Sequence, residues 1–210
     1  MNKIVLILLS ISLQAWSGQE VGNGGGFSIC RDQKYYSYDA ILSVRNPFGP
    51  PSIGLSFPQR ILTISAQLKR LQDPLAKEFD DFMGSLYLQV RGKAFQWFQQ
   101  INLPMVWDPG LEAALPATCK IRKQAAYYMP PGGGVSYAAY TYDPVLLKKV
   151  LSQPEGDLQV SYLWVHEWLW NHFKHEDFIH LATFNRLLQS EGLNHISLAE
   201  YQRWRKQLLR

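Results

Sequence analysis

The feature that most constrains the fold is a largely apolar segment at residues 161–173. Wound as a helix, this segment is apolar on nearly every side, and such a helix is usually buried in the centre of a domain. It nevertheless carries His166 and Glu167 next to each other in its middle. A buried imidazole or carboxylate must find a partner or lose its charge. The sequence therefore predicts a central helix with a polar pair inside the core.

The His166–Glu167 pair is the strongest candidate for a catalytic site. Burial raises the pKa of a glutamate, and a neutral carboxyl beside a histidine is suited to general acid–base catalysis. The motif of a zinc protease helix is absent, because Trp170 stands four residues after His166 and His172 lies about 120° round the helix. Two interpretations stay open: a catalytic pair, or a structural pair that bonds to tyrosine hydroxyls, arginine or backbone.

A second polar group follows directly and suggests a metal site. Its members are His172, His175, Glu176 and His180, and imidazole and carboxylate groups are common zinc ligands. On one continuous helix, the first, third and fourth would share a stripe. Residues 174–177 instead resemble a connection between helices. The alternatives are a zinc site and a set of polar residues at a helix end, where histidine suits the helix dipole.

The N-terminus has the layout of a secretory signal peptide. Lys3 precedes an apolar run at residues 4–13, and Ala15-Trp16-Ser17 follows with small residues at the positions that signal peptidase reads. The run is shorter than the roughly 20 residues that cross a bilayer. We therefore predict cleavage after Ser17, a periplasmic or secreted location, and a mature chain of residues 18–210 that does not span the membrane.

The charge balance gives little sign of a nucleic-acid partner. Without Lys3 the chain keeps 20 basic and 17 acidic residues, whereas nucleic-acid-binding domains usually show a concentrated basic face. The basic residues near the C-terminus, Arg203, Arg205, Lys206 and Arg210, are interpreted as a solvated helix face. At 13%, the aromatic content is high, which favours a large core and some contact surface.

Cys30 and Cys119 are the two cysteines of the chain. In an exported protein the default expectation is that they form a disulfide. A cysteine nucleophile needs a lowered pKa, and nothing near either residue in the sequence would supply it. The sequence therefore predicts a disulfide that closes a long loop.

Helical signals begin after the glycine-rich residues 18–26, which are interpreted as a linker. Ser56 is expected to cap a first helix with Pro58 early in it, and Asp73-Pro74 to start a second that ends at Gly84. The apolar positions of the first helix keep helical spacing: Ile61, Ile64, Leu68 and Leu71.

The predicted strands lie at residues 27–30, 86–90 and 94–98, followed by a hairpin. The two arms of the hairpin are residues 118–129 and 135–142, with the turn at 130–134. Four helix starts then follow, at Asp143, Gly156, Asp177 and Ser197. Residues 27–210 are therefore predicted to form one α+β domain: a small, mostly antiparallel sheet packed against helices, with a helical C-terminal third.

Three motifs resemble a group of small exported proteins from bdellovibrio-like predatory bacteria. They are Gly22-Asn23-Gly24-Gly25 before Cys30, Leu115-Pro116 before Cys119 with Gln124 after it, and the late His166-Glu167 pair. The chain departs from the group's pattern at Gly26, where an acidic residue is usual, and in its tryptophan-rich run after Glu167. The resemblance implies export, a Cys30–Cys119 bond and a shared His-Glu feature. It implies no particular reaction.

The function expected from the sequence is binding at the cell envelope, by a non-catalytic extracytoplasmic domain. The partner would be an envelope component or an extracellular ligand. The alternative is a hydrolase, metal-dependent or not, centred on His166 and Glu167. An enzyme needs this pair to open onto a pocket with other polar groups, whereas a structural pair is sealed in the core with its hydrogen bonds made.

Overall fold

The computed structural model describes residues 25–41, 46–88, 95–104, 115–129, 138–173 and 177–209. The predicted signal peptide, its cleavage site and most of the glycine-rich linker lie outside these ranges and stay predictions. Within the described ranges, no helix combines the length and hydrophobicity that a bilayer crossing requires.

The first sheet is built around the strand that follows the linker. β1 (Gly26–Cys30) lies between β2 (Tyr35–Ser37) and β4 (Cys119–Gln124), and both pairings are antiparallel. Cys30 and Cys119 are register partners on neighbouring strands and form a disulfide. The predicted first strand and the predicted disulfide are both confirmed.

The second sheet has β6 (Ala138–Tyr142) at its centre. β3 (Phe95–Gln99) pairs with it in parallel, and β5 (Ala126–Met129) pairs with it antiparallel. The β5–β6 pairing confirms the predicted hairpin over its described residues, while the turn at 130–134 lies outside them. The strand predicted at 94–98 is also confirmed, as β3, with bounds shifted by one residue.

The predicted strand at 118–129 is divided between the two sheets. It breaks at Ala125, whose backbone N–H and that of Ala126 both donate to the carbonyl oxygen of Gly25, at 3.1 and 3.0 Å. Gly25 immediately precedes β1, so this contact joins the exit from the first sheet to the entry into the second. Sequence periodicity missed the break because Gly25 is distant in the chain.

Three helices occupy the described part of the N-terminal half: α1 (Tyr38–Ile41), α2 (Phe57–Arg70) and α3 (Ala76–Leu88). Ser56 is the N-cap of α2, as predicted, and its backbone N–H donates to the Gln59 side chain at 2.9 Å. The predicted apolar stripe is confirmed, since its four members are buried in the core: Ile61, Ile64, Leu68 and Leu71.

Two predictions in the region of α3 are wrong. Gly84 lies inside α3 rather than at its end, and residues 86–88 are helical rather than part of a strand. Helical spacing of core side chains outweighs the weak helix propensity of glycine. Phe82 is fully buried, and its ring packs against the rings of Trp97 and Tyr140.

The C-terminal third is helical, as predicted. After α4 (Pro144–Leu151) come α5 (Gly156–Phe173), α6 (Phe178–Gln189), a 3₁₀ helix (Glu191–Asn194) and α7 (Leu198–Leu208). The described chain is therefore an α+β fold, with two small sheets in place of the single sheet that was expected.

α5 is the central helix that the apolar segment predicts. It contacts α2, α4, α6 and strands of both sheets. Trp164 packs edge-on against Trp97, with ring centroids 5.5 Å apart, and Trp168 packs edge-on against Phe79 at 4.8 Å. Because α5 is enclosed on all these sides, its polar residues must find their partners inside the core.

Candidate functional site

His166 of α5 is paired with a carboxylate from α1. Its Nδ1 lies 3.1 and 3.0 Å from the two carboxylate oxygens of Asp39. The side chains of His166 and Asp39 are each 2% exposed. A carboxylate in this position fixes the orientation and the tautomer of an imidazole, so His166 is held rigidly.

α6 supplies the remaining partners of Asp39. The side-chain amide of Asn185 donates to Asp39 Oδ2 at 2.6 Å and to the backbone carbonyl of Tyr162 at 2.8 Å. Arg186 Nε donates to the backbone carbonyl of Asp39 at 2.7 Å. These five residues, Asp39, Tyr162, His166, Asn185 and Arg186, form what is called here the Asp39 cluster, and it ties α1, α5 and α6 together.

Glu167 is held by a different part of the chain. Its Oε1 accepts the backbone N–H of Gly25, and among the described residues its Oε2 has no hydrogen-bond partner. Burial raises the pKa of Glu167 to about 7, although the adjacent His166 and the Gly25 N–H both act to lower it. A carboxyl with this pKa is about half protonated at neutral pH.

Gly25 has to be a glycine for this contact to form. A Cβ on Gly25 would lie 2.7 Å from Glu167 Oε1 and would overlap the Leu163 side chain. The backbone can therefore approach the carboxylate only where no side chain intervenes. Gly25 thus links the entry to β1 directly to the middle of α5.

The His166–Glu167 pair is almost completely buried. As whole residues, His166 is 2% and Glu167 is 1% exposed. Four grooves on the described surface are lined by other side chains. His166 is thus buried with its Nδ1 next to a carboxylate, whereas Glu167 is buried with an Oε2 that has no hydrogen-bond partner among the described residues.

The chain matches no protein-family model, no curated protein and no solved structure. The resemblance to exported proteins of predatory bacteria therefore stays an expectation carried by the three sequence motifs.

The predicted metal ligands are only partly described. His172 near the end of α5 has its Nε2 2.7 Å from Glu78 Oε1 of α3. His180 lies on α6, which starts at Phe178 with Asp177 as its N-cap, so His172 and His180 are on separate helices. Within the described ranges, no three or more histidine, cysteine, aspartate or glutamate residues are arranged so that they could hold a metal ion. His175 and Glu176 lie outside them, and the zinc hypothesis for these four residues stays a prediction.

Sequence reasoning missed Asp39, Asn185 and Arg186, the three side chains that join His166 in the Asp39 cluster. Asn185 and Arg186 are adjacent polar residues inside the largely apolar α6, a pattern that resembles the one that pointed to His166 and Glu167. Asp39 carried no such signal, because it lies 127 residues from His166 in a short helix without a periodic pattern. Only the tertiary fold brings it to the imidazole.

Proposed function

We propose that the protein is an exported domain that binds a component of the cell envelope, and that His166 and Glu167 are structural residues of its core rather than groups that act on a substrate. The observation that carries the proposal is the burial of this pair between α1, α5, α6 and the start of β1. A catalytic acid or base must come within hydrogen-bond reach of its substrate. A pair sealed by its own chain lacks that access.

The disulfide supports an extracytoplasmic location. It links β1 to β4 in the first sheet. Disulfides persist in oxidising compartments and are rare in the cytosol. This agrees with the signal-like N-terminus and with the resemblance to exported proteins.

Surface composition supports binding as the mode of action. Several large apolar side chains stay exposed on the described surface: Ile53, Leu62, Phe98, Ile101, Val145 and Leu151. Hydrogen bonds from Gln100 N to the Tyr142 carbonyl and from Asn102 N to Asp143 Oδ2 bring the segment after β3 to the start of α4. Exposed apolar side chains provide contact area for a partner.

One observation favours the alternative of a hydrolase. Glu167 has an unpaired Oε2 among the described residues and a pKa raised to about 7, and both properties suit a general acid or base. For this function the chain around Gly25 would have to open and admit a substrate. Zinc would be the expected metal if His166 and Glu167 were ligands.

The experiment that tests the proposal is co-sedimentation of the oxidised mature protein with peptidoglycan and with anionic phospholipid vesicles. We expect saturable binding to one of the two, equal binding by Glu167→Gln, and no breakdown of the bound material. Hydrolysis that Glu167→Gln abolishes would contradict the proposal, as would stoichiometric zinc, measured by mass spectrometry, that His166→Ala loses. Failure to bind either preparation at micromolar protein would also contradict it.

A further inference from the structure

Arg60 is a buried cation without a hydrogen-bond or ion-pair partner among the described residues. It lies in the first turn of α2 and is 4% exposed. Within the described ranges, its Nε–H has no hydrogen-bond acceptor and no carboxylate forms an ion pair with it. Arg186, which is equally buried, donates instead to the Asp39 carbonyl at 2.7 Å. Buried charges are usually paired, so Arg60 needs an explanation.

A surface groove of about 400 Å³ runs past Arg60. The first turns of α2 and α5 meet here, because the Phe57 N–H at the start of α2 donates to Asp157 Oδ1 in the first turn of α5 at 2.8 Å. Helix N-termini carry partial positive charge and favour anions. The groove therefore has three sources of positive potential, the Arg60 guanidinium and the ends of two helices of 14 and 18 residues.

Two acidic residues face the same groove and limit the anion it can take. Asp157 and Glu155 both interact electrostatically with Arg60, and both line the groove. Asp157 is already engaged with the Phe57 N–H. A doubly charged phosphate would be repelled by both carboxylates, whereas a singly charged carboxylate is repelled less and matches the planar fork of a guanidinium.

Part of the remaining wall of the groove is apolar, while Ser56 and Gln59 add polar groups to it. Leu55 and Leu158 line it, and Ile53 extends from it with 68% of its surface exposed. A ligand whose carboxylate reaches Arg60 would lay its neighbouring group against these side chains. That group should therefore be apolar.

We propose that this groove, called here the Arg60 groove, binds the carboxylate of a ligand that carries an apolar group next to it, with Arg60 as the anchor. The inference rests on the proposed binding function and gives it a site and a ligand class. A branched free carboxylic acid and the C-terminus of a peptide with an apolar last residue both have this chemistry.

The direct test is NMR titration of the oxidised mature protein, which follows the arginine Nε–H signals. The probes are isovalerate, N-acetyl-alanyl-leucine with a free carboxylate, and the same dipeptide as its C-terminal amide. We expect both carboxylates to shift the Arg60 signal and the amide to leave it unchanged. Tighter binding of the dipeptide would identify a peptide C-terminus as the source, and equal binding would identify a free acid.

Variants separate binding from folding. Arg60→Met should weaken carboxylate binding by about tenfold to a hundredfold. It should leave Tm unchanged or higher, because it removes an unpaired buried charge.

Glu155→Gln should tighten binding about twofold to fivefold, since it removes a facing negative charge. Arg203→Met, on the exposed side of α7, is the matched control and should bind as the wild type does. Arg60→Lys, which keeps the charge without the fork, serves if Arg60→Met does not fold, and it should weaken binding too.

The inference is overturned if no carboxylate probe shifts Arg60 at millimolar concentration, or if Arg60→Met and Arg60→Lys bind as tightly as the wild type. Co-sedimentation with envelope material distinguishes a failure of the Arg60 groove proposal from a failure of the proposed envelope binding. Envelope binding that Arg60→Met retains in full, together with no carboxylate binding, overturns the Arg60 groove alone. Absence of both kinds of binding overturns both proposals.

Discussion

Two adjacent residues of α5 tolerate burial in different ways. The Nδ1 of His166 lies within hydrogen-bond distance of the Asp39 carboxylate, which also accepts a hydrogen bond from the Asn185 side chain. Glu167 accepts a hydrogen bond from the Gly25 N–H on Oε1, and its Oε2 has no hydrogen-bond partner among the described residues. Because one hydrogen bond does not replace the hydration of a full negative charge, the protonation of Glu167 is coupled to stability.

Glu167→Gln should change how stability depends on pH. The pKa of Glu167 rises from 4.5 to about 7 on folding, so between these values the native state holds a proton that the unfolded chain has released. The stability from this carboxyl is fully present below pH 4.5 and is lost as pH rises through 7. The variant should avoid that loss. Above pH 7 its free energy of unfolding should therefore exceed that of the wild type by on the order of 3 kcal/mol. Urea unfolding at pH 5 and pH 8 measures the difference, and an equal gap between the two proteins at both pH values would contradict this assignment.

Gly25→Ala should destabilise the protein where Gly84→Ala does not. A Cβ on Gly25 would meet Glu167 Oε1 and Leu163, whereas a Cβ on Gly84 meets nothing within 4 Å. We expect Gly25→Ala to lower the free energy of unfolding by about 1–3 kcal/mol. Gly84→Ala, inside α3, should raise it by about 0.5–1 kcal/mol. Thermal unfolding of both variants checks the pair, and a Gly25→Ala protein as stable as the wild type would refute the close approach.

At the scale of elements, the first sheet depends on the link between β1 and β4. The two cysteines are 89 residues apart in the chain. A bond closing a loop of that length stabilises by about 4–5 kcal/mol through the entropy of the unfolded chain. Reduction should therefore lower the Tm of the wild type strongly. The double variant Cys30→Ser/Cys119→Ser should start at the lower Tm and not respond to reductant. A wild-type Tm that is insensitive to reduction would contradict the prediction.

The N-cap of α4 should matter more than the N-cap of α7. Asp143 is buried and accepts from Val145 N and Leu146 N, at 2.9 and 3.0 Å, and from Asn102 N at 2.9 Å. Ser197 is exposed and accepts only from Glu200 N, at 3.2 Å, among the described residues. We expect Asp143→Ala to cost about 2 kcal/mol or more, because it leaves buried N–H groups unpaired. Ser197→Ala should cost about 0.5–1 kcal/mol. If both variants lose the same free energy of unfolding in chemical denaturation, the Asn102 contact adds nothing to the stability of the α4 N-cap.

Helix starts could be predicted from the sequence because a cap bonds to residues two or three positions away. Ser56, Asp143, Asp177 and Ser197 all stand where the sequence placed them. The helix end predicted at Gly84 was wrong because the packing that keeps α3 helical comes from distant residues. The Phe82 ring packs against Trp97 and Tyr140, which lie on strands of the second sheet. Local signals are visible in a sequence, whereas tertiary packing that overrides them is not.

On the scale of the whole molecule, α5 joins elements that are far apart in the chain. One hydrophobic cluster of the described residues includes side chains of β1, α2, α3, β6 and α5 through α7. The burial of His166 and Glu167 in this core could be predicted from their apolar neighbours. Asp39 and Gly25 could not, because their contacts with α5 exist only once α1 and β1 have packed against it. Arg60 was missed because an unpaired buried cation leaves no pattern in sequence.

The central claim is that His166 and Asp39 hold the core together instead of forming a reaction centre. A double-mutant cycle on the free energy of unfolding, with His166→Ala, Asp39→Ala and the double variant, tests it most directly. We predict that each single variant loses about 3 kcal/mol or more, because it leaves a buried polar partner uncompensated. The double variant should lose about 1–3 kcal/mol less than the sum of the two. Single variants that keep the stability of the wild type would contradict the account, and would make His166 a candidate for catalysis again.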